Sequence, residues 1–315
     1  MSQIEVVSVN VSDQKGTAKR PVEQVIVGEL GILGDAHAGP WHRQVSLLAE
    51  ESVQAFSAQL GESIPPGQFG ENITFRGPPA RAVAPLDRLL FDEVELEITQ
   101  IGKECHGAGC AIFQQVGKCV MPVEGLFARV LRSGTIRPGD RAEHRPKPFT
   151  CLVITLSDRA AAGLYADRAG PRVKELLEEF FAARRRQPEM TSVLLPDDSE
   201  QLRLHILNAI ERQVDLVFTT GGTGVGPRDI APETVRPLCD RLIPGIMEHI
   251  RAKYGRENPF ARLSRSIAGV AGKTQIYTLP GSVRAVEEYM AEIVGTLEHV
   301  RYLLHGLDVH AAPPC

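Results

Sequence analysis

The sequence predicts two joined folds: a mostly β barrel in the first half and a three-layer α/β domain with a mainly parallel sheet in the second. Three observations carry this. The chain has 315 residues, enough for two separate cores. In the first half, short β-branched runs alternate with Gly and Pro turns and few helical patterns interrupt them. In the second half, continuous apolar runs alternate with helical patterns, the rhythm of parallel strands with helices on both faces.

The first-half strands are IEVVSVNV, QVIVGEL, QVSLLAEE and EVELEITQIG; AEESVQAFSAQL and MPVEGLFARVL read as helices. The segment RAEHRPKPFT, Arg141 to Thr150, is charged and carries two prolines, and it reads as a linker. The boundaries drawn on this basis are 1–143, a linker over 144–150, and 151–315. Beyond it, CLVITLSD is apolar throughout, as a strand buried on both faces should be. GPRVKELLEEFFAARRR is helical, TSVLLPDD a strand, SEQLRLHILNAIERQ a helix and VDLVFTT a strand. TQIYTLPGS is a late strand, and SVRAVEEYMAEIVGTLEHVRYLL reads as one long helix.

A hydrophobic fraction of 43%, a charged fraction of 23% and a net charge of −4 describe a globular protein with no electrostatic bias toward nucleic acid. No apolar run approaches a membrane span. The N-terminus lacks the pattern of a signal peptide, so a cytoplasmic location is expected. Six cysteines in a chain this long are expected as thiols rather than as a disulfide framework. Cys105, Cys110 and Cys119 crowd into one segment.

The segment TTGGTGVGPRD, Thr219 to Asp229, stands at the carboxyl end of the VDLVFTT strand. In open α/β sheets that is where ligands bind. Its glycines let the backbone approach a ligand and aim N–H groups at it, which suits a phosphate. A helix is expected just after it, with Pro232 at its first position and Glu233 in its first turn. Gly222, Gly224 and Gly226 alternate, so the loop is no dinucleotide fingerprint. Gly272-Lys273-Thr274 imitates the end of a Walker A motif, but Ile267 stands where its first glycine belongs. Other strand ends feed the same crevice: Ser157 and Asp158, Asp197 and Asp198, LSRS with Ser264 and Arg265, and LPGS with Pro280 and Gly281. Asp197 and Asp229, with Asp158 and Glu233 near, are candidate magnesium ligands, since magnesium takes one or two carboxylates plus waters and phosphates. Asp198 or Ser199 can instead cap the next helix. Arg265 is a candidate bidentate anion ligand.

Together LSDRAAAGLYAD, LLPDD, TTGGTGVGPRDIAPE and LSRSIAGVAGKTQIYTLPGS resemble the MogA family of molybdopterin adenylyltransferases, to which the G domain of gephyrin and its plant counterpart belong. The resemblance runs from Thr150 to His305. It implies molybdopterin and ATP as substrates, Mg²⁺ as cofactor, adenylylated molybdopterin and pyrophosphate as products, and a homotrimer. Carried onto this sequence, it gives Asp197 and Asp229 metal and catalytic roles. Ser157, Asp158, Thr220, Gly221, Gly222, Thr223, Gly224, Arg228, Ser264, Arg265, Pro280 and Gly281 become ligand contacts. The alternative is a non-catalytic carrier or insertion protein for the pterin.

In the first half, GDAHAGPWHRQVSLL, GQFGENITFRG, ITQIGKECHGAGC and EGLFARVLRSGTIRPGD resemble a MOSC domain, a β-barrel module related to molybdenum cofactor sulfurases. That implies a reactive cysteine, carrying a persulfide without pyridoxal phosphate or touching the molybdenum cofactor. Partners would be apo-molybdoenzymes or cofactor-insertion proteins. By its position in the family pattern Cys105 is the first choice, and it sits beside Lys103 and His106, cations that favour the thiolate. Cys110 and Cys119 stay open, and Cys105, His106, Cys110 and Cys119 could alternatively hold zinc. His37, His42, Trp41 and Arg129 are candidate pocket residues, each with an ordinary packing or salt-bridge role as the competing reading.

Overall fold

A computed structural model describes residues 2–103, 119–184 and 186–307. The described residues divide into two units: one runs up to Lys147 and includes Leu307, and the other is Pro148–Gly306.

In the first unit, strands are β1 (Ser2–Val11), β2 (Arg20–Val22), β3 (Val25–Gly28), β4 (Gly31–Ile32), β5 (Val45–Ala49), β6 (Ile73–Arg76), β7 (Arg88–Leu90), β8 (Glu95–Ile101), β9 (Leu126–Arg132), β10 (Gly134–Ile136) and β11 (Arg141–Arg145). Seven of them run in the order β11-β7-β8-β9-β5-β6-β1, and β11 pairs back onto β1, which closes a barrel; β2 pairs with the far end of β1 alone. Its interior holds Val6, Leu47, Ile73, Phe75, Leu96, Ile98 and Leu126. Helix α1 (Glu50–Leu60) and the single turn α2 (Met121–Glu124) cover a smaller cluster of Leu48, Val53, Phe69, Met121 and Phe127.

Two sequence expectations fail here. Residues 141–145 are strand, not linker: Ala142 and His144 alternate inward, and His144 Nε2 meets buried Asp87 at 2.9 Å. MPVEGLFARVL is helical only over its first turn. Gly125 then turns the chain into β9, whose partners are β5 and β8.

Two buried charges inside this unit are satisfied locally. The GQFGEN turn folds around the buried carboxylate of Glu71, which accepts from the N–H of Gly67 (2.6 Å), the N–H of Phe69 (3.1 Å) and Thr74 Oγ1 (2.9 Å). Lys19 Nζ donates to both oxygens of Asp35 at 2.6 Å. Burial alone would raise the Asp35 pKa, but the bonds from His37 and Lys19 hold it well below the usual carboxylate range.

The second unit contains β12 (Thr150–Leu156), α3 (Asp158–Ala161), α4 (Ala169–Ala182), β13 (Glu189–Leu195), α5 (Ser199–Glu211), β14 (Leu216–Thr220), α6 (Ala231–Val235), β15 (Arg241–Leu242), α7 (Pro244–Tyr254), β16 (Ala268–Ala271), β17 (Thr274–Leu279), α8 (Val283–Ile293) and α9 (Leu297–Leu304). The sheet order is β13-β12-β14-β17-β16-β15. The first four strands are parallel; β16 and β15 add an antiparallel edge. Strands β14 and β17 are buried at every residue, as central strands covered on both faces must be. One face packs on α4, α7 and α8 through Val173, Leu177, Phe181, Met247, Ile250, Val286 and Met290. The other packs on α5 and α6 through Leu202, Ile206, Ala231 and Val235.

The expected long C-terminal helix is interrupted at Val294–Thr296 by a tighter turn that contains Gly295. Beyond the break, α9 is tied to the start of the sheet. Arg301 bonds both oxygens of Asp215 (2.8 and 3.1 Å) and the Pro148 carbonyl, and its guanidinium lies 3.6 Å from the Phe149 ring centroid. The Walker-like Gly272-Lys273-Thr274 is the turn and first residue of the β16–β17 hairpin, and Gly272 takes its positive φ of 56° there. No helix among the described residues is long and apolar enough to cross a membrane.

Candidate active site

The site lies at the carboxyl ends of β12, β13, β14 and β17. Thr219 and Thr220 end β14 and are buried; both hydroxyls lack a hydrogen-bond partner. The chain then turns through Gly221 and Gly222 at φ 96° and 63°, backbone that a β-branched residue resists. A β-carbon at Gly221 would stand 2.3 Å from the Leu156 carbonyl oxygen, so the loop passes directly over the end of β12. Gly281 packs on Gly221 in turn, and the Gly221 N–H donates to the Leu279 carbonyl at 3.0 Å.

The outer arm of the loop is built around its own acid. Asp229 Oδ2 accepts from the Gly226 N–H at 2.8 Å, and a β-carbon on Gly224 would meet the same oxygen at 2.7 Å. Arg265 holds this arm from outside. Its N–H donates to the Thr223 carbonyl, Nε to the Gly224 carbonyl and Nη2 to the Asp229 carbonyl, and Nη1 pairs with Glu233. The guanidinium expected to grip an anion therefore grips the loop. Ser264 is likewise engaged, with Tyr289 OH at 2.8 Å and Ser266 Oγ at 2.9 Å, while Arg251 donates to the Ser264 and Ser266 carbonyls. Helix α6 covers only five residues, and its first N–H, on Ala231, goes to the Gly222 carbonyl at 3.0 Å.

Two carboxylates stand just beyond β12 and β13. The Asp197 N–H donates to Asp158 Oδ1 (3.0 Å) and the Asp158 N–H to Asp197 Oδ2 (3.3 Å), a reciprocal lock between the ends of β12 and β13. Arg228, on the glycine loop, pairs with Asp158 Oδ2. Burial and the Asp158 charge push Asp197 above the usual carboxylate range, against the pull of the Asp158 N–H and Arg228. Asp158, rather than Asp229, is thus the acid in contact with Asp197. Asp198 takes the other role expected for it: Oδ1 accepts from the N–H of Glu200 and Gln201 and caps α5.

Ser157, Thr220 and Gly281 line one cavity of about 220 Å³, together with Tyr165, Asp167 and Arg168. Ser157 also caps α3 and bonds Tyr165 OH at 2.8 Å. Sequence reasoning missed Asp167. It accepts from Thr155 Oγ1 (2.7 Å) and from the N–H groups of Ala169 and Gly170. Its place just ahead of a helical pattern was the available signal. Asp229, Glu233 and Arg265 border a separate open depression of about 410 Å³ with Val225 and Pro227.

Among the described residues no three His, Cys, Asp or Glu side chains form a metal cage. Two adjacent carboxylates suit magnesium nonetheless, because it keeps waters and takes its remaining ligands from substrate phosphates.

In the first unit, Cys105, His106 and Cys110 lie outside the described residues. Cys119 packs beside the Met121 and Phe127 cluster. Arg129 takes the salt-bridge role, with Nε 2.8 Å from Glu97 Oε1. The Trp41 indole N–H donates to the His37 carbonyl at 2.8 Å, and Arg43 and Lys15 stand 4.8 and 5.7 Å from its ring centroid. His37 Nδ1 lies 3.2 Å from Lys19 Nζ, and the His42 carbonyl accepts from Thr99 Oγ1.

The fold is an α/β domain with a glycine loop and two acids at the carboxyl ends of its parallel strands, following a β-barrel domain in sequence. Residues 152–299 match the family described as a probable molybdopterin binding domain, and residues 34–143 match the MOSC domain. The molybdopterin adenylyltransferase of Pyrococcus furiosus is 36% identical over 171 residues, covering 50% of this chain and 97% of that protein. That of Helicobacter pylori J99 is 32% identical over 155 residues, covering 49% and 86%. The molybdenum cofactor synthesis protein cinnamon of Drosophila melanogaster is 33% identical over 162 residues, 51% of this chain; the match spans only 26% of cinnamon. The chain belongs to the MogA/MoaB family of molybdopterin-binding proteins, with a MOSC domain ahead of the family domain.

Proposed function

We propose that the second domain adenylylates molybdopterin with Mg²⁺-ATP, and that the MOSC domain acts on the cofactor at another step. The observation that carries this reading is the locked Asp158–Asp197 pair facing the Gly221–Asp229 loop across the strand ends. The adenylyltransferases that match along most of their length support it. A phosphate oxygen of the pterin attacks the α-phosphorus of ATP, the bond to the oxygen bridging the β-phosphorus breaks, and pyrophosphate leaves with the electron pair. Such a transfer needs alignment and charge neutralisation rather than a covalent nucleophile.

Asp197, with Asp158 beside it, holds Mg²⁺; bound there, the ion neutralises charge on the nucleotide phosphates. Backbone N–H groups of the glycine loop and the unpartnered Thr220 hydroxyl receive the pterin side. Asp229 and Arg265 keep that loop in shape. In the MOSC domain Cys105 carries sulfur or touches the cofactor. A trimeric, cytoplasmic protein that passes its product to apo-molybdoenzymes completes the reading. Joining the two domains raises the effective concentration of an intermediate near the second site.

The test incubates the purified full chain with molybdopterin, ATP and Mg²⁺, and follows adenylylated pterin by mass spectrometry alongside released pyrophosphate. Product requiring all three components is expected. Asp197→Ala should lower turnover about a hundredfold or more, the scale on which one charge-stabilising group acts. Tight pterin binding without product would instead make the domain a carrier.

A further inference from the structure

We propose that Arg228 is an exchangeable counter-ion: it occupies the metal-binding carboxylates in the nucleotide-free protein and moves to the nucleotide phosphates when a divalent cation displaces it. This rests on the reading that Asp158 and Asp197 receive the cation.

Four observations lead there. Arg228 reaches from the glycine loop to Asp158, 70 residues away in sequence, so the pair bridges the mouth of the crevice. The two Asp158 oxygens do different work: Oδ1 is held by the Asp197 N–H at 3.0 Å, and Oδ2 alone takes Arg228. The carboxylates therefore keep their places when the arginine leaves, because each is fixed by the other's backbone.

The pair is also open to water, with Arg228 65% and Asp158 41% exposed. An ion pair of that exposure contributes little to stability and is readily exchanged. Finally, the loop does not depend on it. Asp229 closes the outer arm onto Gly226, and Arg265 clamps the carbonyls of Gly224 and Asp229, so only the Arg228 side chain has to swing. Once released, its planar fork suits bidentate contact with phosphoryl oxygens in a way an ammonium group does not.

The arrangement sets an order. Cation and polyphosphate arrive together, because the cation alone must compete with a guanidinium, and the guanidinium gains a new partner only when the phosphates are present.

The experiment measures free Mn²⁺ by electron paramagnetic resonance while the full chain is titrated without nucleotide, for wild type, Arg228→Gln and Asp197→Asn. Arg228→Gln should bind Mn²⁺ about threefold to fivefold more tightly than wild type, the fold-change expected for removing one exposed competing ion pair. The gap should narrow in high salt, which screens the competing pair. Asp197→Asn should bind far more weakly than either. The KM for Mg²⁺-ATP should rise in Arg228→Gln and stand between in Arg228→Lys. Unchanged Mn²⁺ affinity in Arg228→Gln, with Asp197→Asn still weakened, overturns the exchange while leaving the carboxylates as the cation site. Equal affinity in wild type and Asp197→Asn overturns both.

Discussion

Three acid–base pairs in this protein use the same chemistry at opposite exposures. Lys19 and Asp35 in the barrel are 0% and 1% exposed, and Arg301 and Asp215 in the α/β domain are 2% and 3% exposed. Arg228 and Asp158 at the crevice are 65% and 41% exposed. The first two tie distant segments together. Lys19 joins the start of β2 to the GDAHAG turn, and Arg301 joins the last helix to the start of the sheet through Asp215 and Pro148. A charge taken out of water is costly to leave alone, so both members of a buried pair are held in place. The crevice pair carries no such penalty. The same residue types therefore act as fixtures inside and as a movable part at the site.

The sharpest way to break this comparison is to remove one member of a buried pair. Arg301→Ala leaves the buried Asp215 carboxylate without its cation, held only by the N–H and hydroxyl of Thr150, and should cost about 3–5 kcal/mol. Urea unfolding of the full chain, followed by hydrogen exchange, should place the loss in Pro148–Gly306 and spare the barrel. Arg301→Met with Asp215→Leu should recover much of that loss, since a well-packed apolar replacement of a buried pair is often neutral. A single substitution that proved harmless would mean that the pair is no fixture.

How far was this legible in the sequence? The strand CLVITL was, because it is an apolar run with little polar interruption, and burial on both faces follows; TQIYTL was harder to read as a doubly covered strand, because Thr274, Gln275 and Thr278 are polar yet buried. The crevice was too, because the loop at Thr219–Asp229 interrupts such a run at its carboxyl end. The division of labour inside the loop was not. Asp229 looks like a ligand in sequence, yet its carboxylate turns back onto Gly226. Arg265 looks like an anion grip, yet the carbonyls of Gly224 and Asp229 take it. A spacing pattern reports which residues meet, not which of several hydrogen-bond partners wins. Residues 141–145 failed for a different reason. Pro146 and Pro148 dominate the local composition, while the inward alternation of Ala142 and His144 spans too few residues to stand out.

A smaller effect is expected at the loop itself. Gly221→Ala forces a β-carbon against the Leu156 carbonyl at a φ of 96°, so the loop has to shift. The cost to folding should be about 1–3 kcal/mol, the range for a residue held in a sparsely populated backbone region. Pterin binding, read by fluorescence quenching, should fall further than that stability loss explains, because the backbone N–H groups move with the loop. Binding that survived intact would remove the glycine loop from the pterin site.

The smallest expected effect is the one that defines the other end of the comparison. Arg228→Gln should change the free energy of unfolding by less than about 1 kcal/mol, as exposed pairs do. If urea unfolding instead showed a loss of the Arg301 class, Arg228 would be a fixture, and the exposure of the pair would be a poor guide to its work. A small loss combined with an altered cation affinity separates the two roles in one variant. Stability reports what a side chain holds up, and cation affinity reports what it competes with. A residue that competes with the cation, rather than holding it, raises the second when removed and leaves the first nearly unchanged.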